Sequence, residues 1–156
     1  MILPILHDGH PILAKRARKV TEFNTPFLVD LVNNMWETMI DAKGIGLAAP
    51  QIGVSLCVIV FGDNKEIPQT ILINPKVEPI GETQASMPEG CLSVPERNGF
   101  VVRPSCVYYS GYDVHRRLIE REVDGWHARV VQHEYDHLKG ILFTERIQEQ
   151  ENENAI

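Results

Sequence analysis

The spacing of apolar positions changes twice along the chain. Over residues 25–44, "TPFLVDLVNNMWETMIDAKG", the positions Leu28, Leu31, Val32, Met35, Trp36 and Met39 recur at steps of three and four. That spacing predicts a helix with one apolar stripe. Thr25 offers an N-cap oxygen, Pro26 suits the first helical position, and Gly44 is the expected stop. Four short β-rich runs follow, "SLCVIVFG", "TILINP", "CVYYSGYDV" and "RLIEREV", bounded by Gly, Asp, Asn and Pro. The last alternates, with Leu118, Glu120 and Glu122 on one face and Ile119, Arg121 and Val123 on the other. "GWHARVVQHEYDHLKG" then returns to helical spacing through Trp126, Val130, His133, Glu134 and His137, and Gly140 closes it. One helix, a set of strands and a second helix predict an α+β domain rather than alternating βαβ units.

Length narrows this to a single domain, since 156 residues are too few for two well-filled cores. The expected domain is 1–147, followed by a short polar tail at 148–156, "QEQENENAI". Lys and Arg number 15 against 21 Asp and Glu, a net charge of −6, which argues against a general nucleic-acid binder. No apolar run approaches the roughly 18 residues of a membrane span. The opening "MILPILHDGH" has no basic leader and no small-residue cleavage site, so no signal peptide is expected. Cys57, Cys91 and Cys106 are an odd set without an export signal. Metal binding or catalysis in a reducing compartment is the better reason to inspect them.

Three stretches bear on chemistry. In "QHEYDHLKG", His133 and His137 lie about 40° apart on a helix, so both rings can reach one ion. Glu134 stands about 100° round from His133, beside such an ion, where it can handle a proton. A solvated helix face with two histidines would read the same way. A catalytic site of this kind wants a third protein ligand and one open position. Glu145, Glu149 and Cys91 are candidates for that ligand. Cys91 lies in "EGCLSVPE", after the flexible Gly90, although most free cysteines are simply small core residues. "GIGLAAPQIG" matches a loose dinucleotide fingerprint, but it follows a helix and opens into a strand, the reverse of what that fold needs. Its small residues suggest close backbone approach, with Gln51 as the polar side chain at its end; a tight helix-to-strand crossover would also suffice.

Taken in order, "GIGLAAPQ", "EGCLS" and "QHEYDH" resemble the peptide deformylase family, and "ILPILHDGHPILAKRARKV" resembles its opening. The likeness runs from about residue 3 to about residue 147. It implies mixed and antiparallel sheets packed around a central HExxH-bearing helix, with a long helix towards the N-terminus. It further implies one Fe2+ per chain held by Cys91, His133 and His137, with water in the fourth place and Zn2+, Ni2+ or Co2+ able to substitute. The implied reaction removes the N-formyl group from formyl-methionyl nascent peptides. Water bound to the metal attacks, Glu134 acts as general base and then acid, and the Gln51 amide and Leu92 N–H steady the oxyanion. Ile45 and Gly46 are expected to pair with an extended substrate, beside Gly90, Val130 and Trp126. Glu89 and Arg97 are expected to form a charge pair around the cysteine stretch.

Two departures accompany the resemblance. "YDVHRRLIER" lacks the glycine turn common in the family, so His115, Arg116 and Arg117 read as a solvated loop. The short acidic tail predicts no long basic C-terminal helix and only transient ribosome proximity, and the lack of an N-terminal extension favours a bacterial cytoplasm; no direct nucleic-acid or membrane contact is expected. Two rivals share the HExxH helix or the cysteines. A metallopeptidase would take its third ligand downstream of the helix. A closed structural metal site would need Cys57 or Cys106, and would leave Glu134 and Gln51 without a task.

Overall fold

The computed structural model describes residues 1–147, so the expected polar tail at 148–156 lies outside the described residues. The amphipathic stripe forms α1 (Pro26–Asp41). Thr25 Oγ1 accepts the Leu28 N–H at 3.2 Å, and Pro26 opens the first turn. The stop falls one residue earlier than the glycine suggests. Lys43, at φ 58, takes the left-handed position. The Lys43 and Gly44 N–H groups donate to the Ile40 and Met39 carbonyls at 3.0 and 2.9 Å, closing a Schellman turn. Gly44 lies against Leu92 instead, where a Cβ would stand 2.7 Å from Cδ1 and push that side chain aside.

The strands are β1 (Gly46–Ala48), β2 (Val58–Phe61), β3 (Thr70–Pro79), β4 (Gln84–Cys91), β5 (Val94–Pro104), β6 (Cys106–Tyr112) and β7 (Leu118–Asp124), followed by α2 (Gly125–Leu138). Five of them form an antiparallel sheet in the order β1-β2-β3-β6-β7. β4 and β5 make a separate antiparallel hairpin. The sequence did not reveal this hairpin, because Pro88, Gly90, Pro95 and the charged run Glu96–Arg97 interrupt any period-two pattern. β7 alternates as its sequence predicts, with the Leu118, Glu120 and Glu122 face the more exposed. Among the described residues, no helix is long and apolar enough to cross a membrane.

The sheet separates two cores. Val58 and Val60 pack with Leu28, Val32, Met35 and Met39 of α1. Ile59 and Phe61, on the other face of the same strand, pack with Ala128, Val130 and Val131 of α2. β2 is therefore buried on both sides, which explains its unbroken apolar run "VIVF". α2 in turn lies between the sheet and the β4–β5 hairpin, to which it is tied by Arg129 and Asp136. This gives an α+β fold with sheets around a central helix. Gly140, at φ 77, ends that helix where a Cβ would stand 2.6 Å from the Ala14 carbonyl oxygen. Because α2 is covered on opposite sides, its polar residues are buried along with its apolar ones.

Candidate active site

α2 delivers His133, Glu134 and His137 to one place, and the end of β4 brings Cys91 to meet them. The turn from Cys91 back to Val94 is tight, with those two residues paired in register. One ligand atom each from Cys91, His133 and His137 lie within 4.8 Å of one another. Cys91 Sγ is 3.4 Å from His137 Nε2, and the two imidazole rings stand 5.2 Å apart at 72°. Sulfur and nitrogen ligands on a tetrahedral cation sit about 3.6 Å apart, so this spacing suits a shared ion. Cys57 and Cys106 lie outside the group and are free thiols. Glu145 caps its own turn by accepting the Leu142 N–H at 2.8 Å, and Glu149 lies outside the described residues.

The electrostatics agree with a cation at this point. Burial, followed by the charges on His133 and Arg103, holds His137 well below the usual histidine range, so its imidazole is neutral and able to ligate. His137 Nδ1 and Glu134 Oε1 are buried without a hydrogen-bond partner among the described residues. Burial opposes a proton on His133, but its bonds to Cys91 and Glu89 prevail and raise it to about 10.

Glu89 organises the far side. Its carboxylate accepts Arg103 Nε and Nη2 at 2.6 and 2.9 Å, Arg129 Nη1 at 2.7 Å and His133 Nδ1 at 2.8 Å. Burial alone would raise its pKa, yet these bonds hold it far below the carboxylate range. The His133 contact fixes the tautomer and leaves Nε2 to face Cys91. The anticipated partner Arg97 is exposed on the surface instead, and Glu89 pairs with Arg103 and Arg129. Arg103, Arg129 and Asp136 were not legible as site residues. Asp136 alone left a signal, three positions after His133 in the helix motif.

Glu134 is buried at 5% exposure, with Oε1 4.0 Å from His137 Nε2. Burial, against the pull of His133, pushes it up to about 7. Gly46 makes room for it, because a Cβ there would lie 2.5 Å from Glu134 Oε2. Gln51 is fixed by three contacts: Oε1 accepts the Ala48 N–H at 2.9 Å, and Nε2 donates to Ser93 Oγ at 3.0 Å and towards Cys91 Sγ at 3.6 Å. Ser93, fully buried, is a further site residue that sequence reasoning missed. A cavity of about 410 Å³ opens onto this group, and Ile45, Gly46, Gly90, Leu92, Trp126 and Val130 all line it.

The polypeptide deformylase family model matches residues 2–153. The chain belongs to that family. Peptide deformylase 2 of Ralstonia nicotianae is 48% identical over 157 residues, covering 96% of this chain and 89% of that protein. Peptide deformylase 1 of Nitrosomonas europaea is also 48% identical, over 94% and 88%. Among solved structures, the actinonin-bound class I type b peptide deformylase of Acinetobacter baumannii superposes with a TM-score of 0.89 at 36% identity, over 95% of this chain and 99% of that one. The same protein with Met-Ala-Ser bound gives 0.87 at 36% identity, over 94% and 99%. The chain is thus an enzyme of the family that removes N-formyl groups from nascent peptides.

Proposed function

We propose that residues 1–147 form one domain that hydrolyses the formyl amide of N-formyl-methionyl peptides, using one divalent cation held by Cys91, His133 and His137. The observation that carries this reading is the convergence of those three ligand atoms beside Glu134, whose Oε1 is buried without a partner. Ferrous iron is the proposed native ion on the strength of the family resemblance, while one thiolate and two imidazoles suit iron, zinc, nickel or cobalt alike. Such a cation makes water more acidic and supplies positive charge where the oxyanion develops.

The protein groups divide the remaining work. Burial raises the Glu134 carboxyl, and its place beside the three ligand atoms suits a group that both takes and returns a proton. It removes a proton from the attacking water and delivers it to the departing amine nitrogen, releasing formate. Ser93 and Ala48 hold the Gln51 amide with its NH2 on the cysteine side of the cavity. There Gln51 and the Leu92 N–H are positioned to donate to the developing oxyanion. β1 is an edge strand, and Gly46 at its start and the preceding Ile45 line the cavity where an extended peptide would pair, with Val130 and Trp126 offering apolar surface for the methionine side chain. The relative crystallised with Met-Ala-Ser supports a peptide of this type as ligand. We place the enzyme in a bacterial cytoplasm with transient ribosome proximity, on the bacterial origin of its relatives.

The test is formate release from formyl-Met-Ala-Ser by metal-counted protein. Glu134→Gln is expected to lower the rate by about 10²–10⁴-fold while one metal per chain is retained. Retained activity would remove Glu134 from the proton path, and a metal-loaded wild type that releases no formate would overturn the substrate.

A further inference from the structure

The last described turn reaches His133 by two separate routes. Directly, the Phe143 ring lies 6.0 Å from the His133 ring, tilted by 30°. Phe143 is fully buried and clusters with Val94, Val101 and Ile147, and Ile147 fills the space beside Gly99, where a Cβ would stand 3.1 Å from its Cδ1. Packing on β5 therefore fixes the turn and, with it, one face of the imidazole.

The second route is ionic. Arg146 grips Asp136 with both arms, Nε to Oδ2 at 2.6 Å and Nη2 to Oδ1 at 2.9 Å. Asp136 Oδ2 also accepts Arg103 Nη1 at 2.8 Å, and Arg103 clamps Glu89, which receives His133 Nδ1–H. Arg146 is the outermost link, its side chain 40% exposed, whereas Asp136, Arg103 and Glu89 are buried. A bidentate guanidinium leaves the Asp136 carboxylate one orientation. That orientation sets where Arg103 can point, and Arg103 shares its fork with Glu89.

We propose that the Leu142–Ile147 turn is a clasp that positions His133 for ligation, with Arg146 and Phe143 as its two positioning residues. Neither supplies a ligand atom. Arg146 aims the imidazole through Asp136, Arg103 and Glu89, and Phe143 limits its tilt. The inference rests on the reading that Cys91, His133 and His137 hold a divalent cation.

Cobalt is the probe. The protein is loaded with Co2+, its visible absorption recorded, and the release of cobalt to an excess of chelator followed, beside the thermal melting of the apoprotein. Loss of a partner behind a metal-binding histidine typically costs about 10–100-fold in metal affinity. Arg146 acts three links behind Glu89's own place at the ring, through Asp136 and Arg103, so Arg146→Ala is expected at the low end, releasing cobalt up to about tenfold faster and shifting the cobalt bands. Arg146→Lys should recover part of the difference, because an ammonium keeps the charge but not the two-armed grip. Wild-type release and spectrum in Arg146→Ala would overturn the clasp, whatever happens to the melting temperature. Should that variant fail to fold, Arg146→Lys decides, and release at the wild-type rate overturns the clasp. A wild type that binds no cobalt would overturn the ligand group itself, an outcome distinct from failure of the clasp.

Discussion

The two helices are close in length and opposite in what they bury. α1 has 16 residues and buries six, of which only Thr38 is polar. α2 has 14 and buries ten, six of them polar or charged: Arg129, Gln132, His133, Glu134, Asp136 and His137. Each buried aliphatic side chain on α1 contributes about 1.5–3 kcal/mol, so that helix stabilises the sheet it covers. Each buried charge on α2 costs several kcal/mol unless it is paired. Its partners are drawn from the β4–β5 hairpin, distant in sequence, and from the C-terminal turn that follows α2. The candidate site sits on the helix that contributes least on its own account, and the apolar helix on the other face of the sheet makes that tolerable.

The largest effect should come from removing the centre of the paired charges. Glu89→Ala leaves Arg103 and Arg129 buried with a shared acceptor gone, and frees His133 Nδ1. Breaking one side of a buried ion pair costs about 3–5 kcal/mol, so urea unfolding should show a loss of that size together with weakened metal binding. A variant as stable as wild type would mean that the charges around α2 are solvated in practice, and the contrast with α1 would collapse. Met35→Ala is the matching change on α1, at a fully buried position. It should cost about 2–5 kcal/mol in the same unfolding experiment, with formate release per folded molecule unchanged. An equal loss of turnover would show that α1 shapes the site as well as supporting it.

The same contrast governs what could be read from the sequence. α1 was legible because its signals are local: a cap, a proline, and apolar residues three and four apart. β2 was legible because both its faces are covered. His133, His137 and Glu134 stood out because the chemistry constrains their spacing within one short stretch, whereas Cys91 was one of three candidates until the family resemblance singled it out. The partners did not stand out. Arg103 meets Glu89 only because a hairpin folds residue 103 back over residue 89, and that hairpin carries no alternating pattern. Arg146 and Asp136 stand ten residues apart across a helix end. Lys43 shows the limit at short range too. The glycine next to it drew the expected helix stop, yet the left-handed turn fell on the lysine, while the glycine lies against Leu92.

The smallest difference separates the two helix starts. At α1, Thr25 accepts the Leu28 N–H, whereas Asp124, in the equivalent place before α2, makes no side-chain capping bond. Removing a bonded cap typically costs about 1 kcal/mol. Thr25→Ala should therefore lower the unfolding free energy by about 1 kcal/mol. Asp124→Ala forfeits only the attraction of an exposed carboxylate to the helix dipole, roughly 0.3–1 kcal/mol and screened by salt. Repeating both measurements in high salt sharpens the distinction, because a neutral capping bond is indifferent to ionic strength and a dipole contact is not. The Thr25 loss should persist and the Asp124 loss should fade. If Asp124→Ala instead cost as much as Thr25→Ala at high salt, α2 would begin with a local signal of its own, and its dependence on distant partners would be less complete than its buried charges indicate.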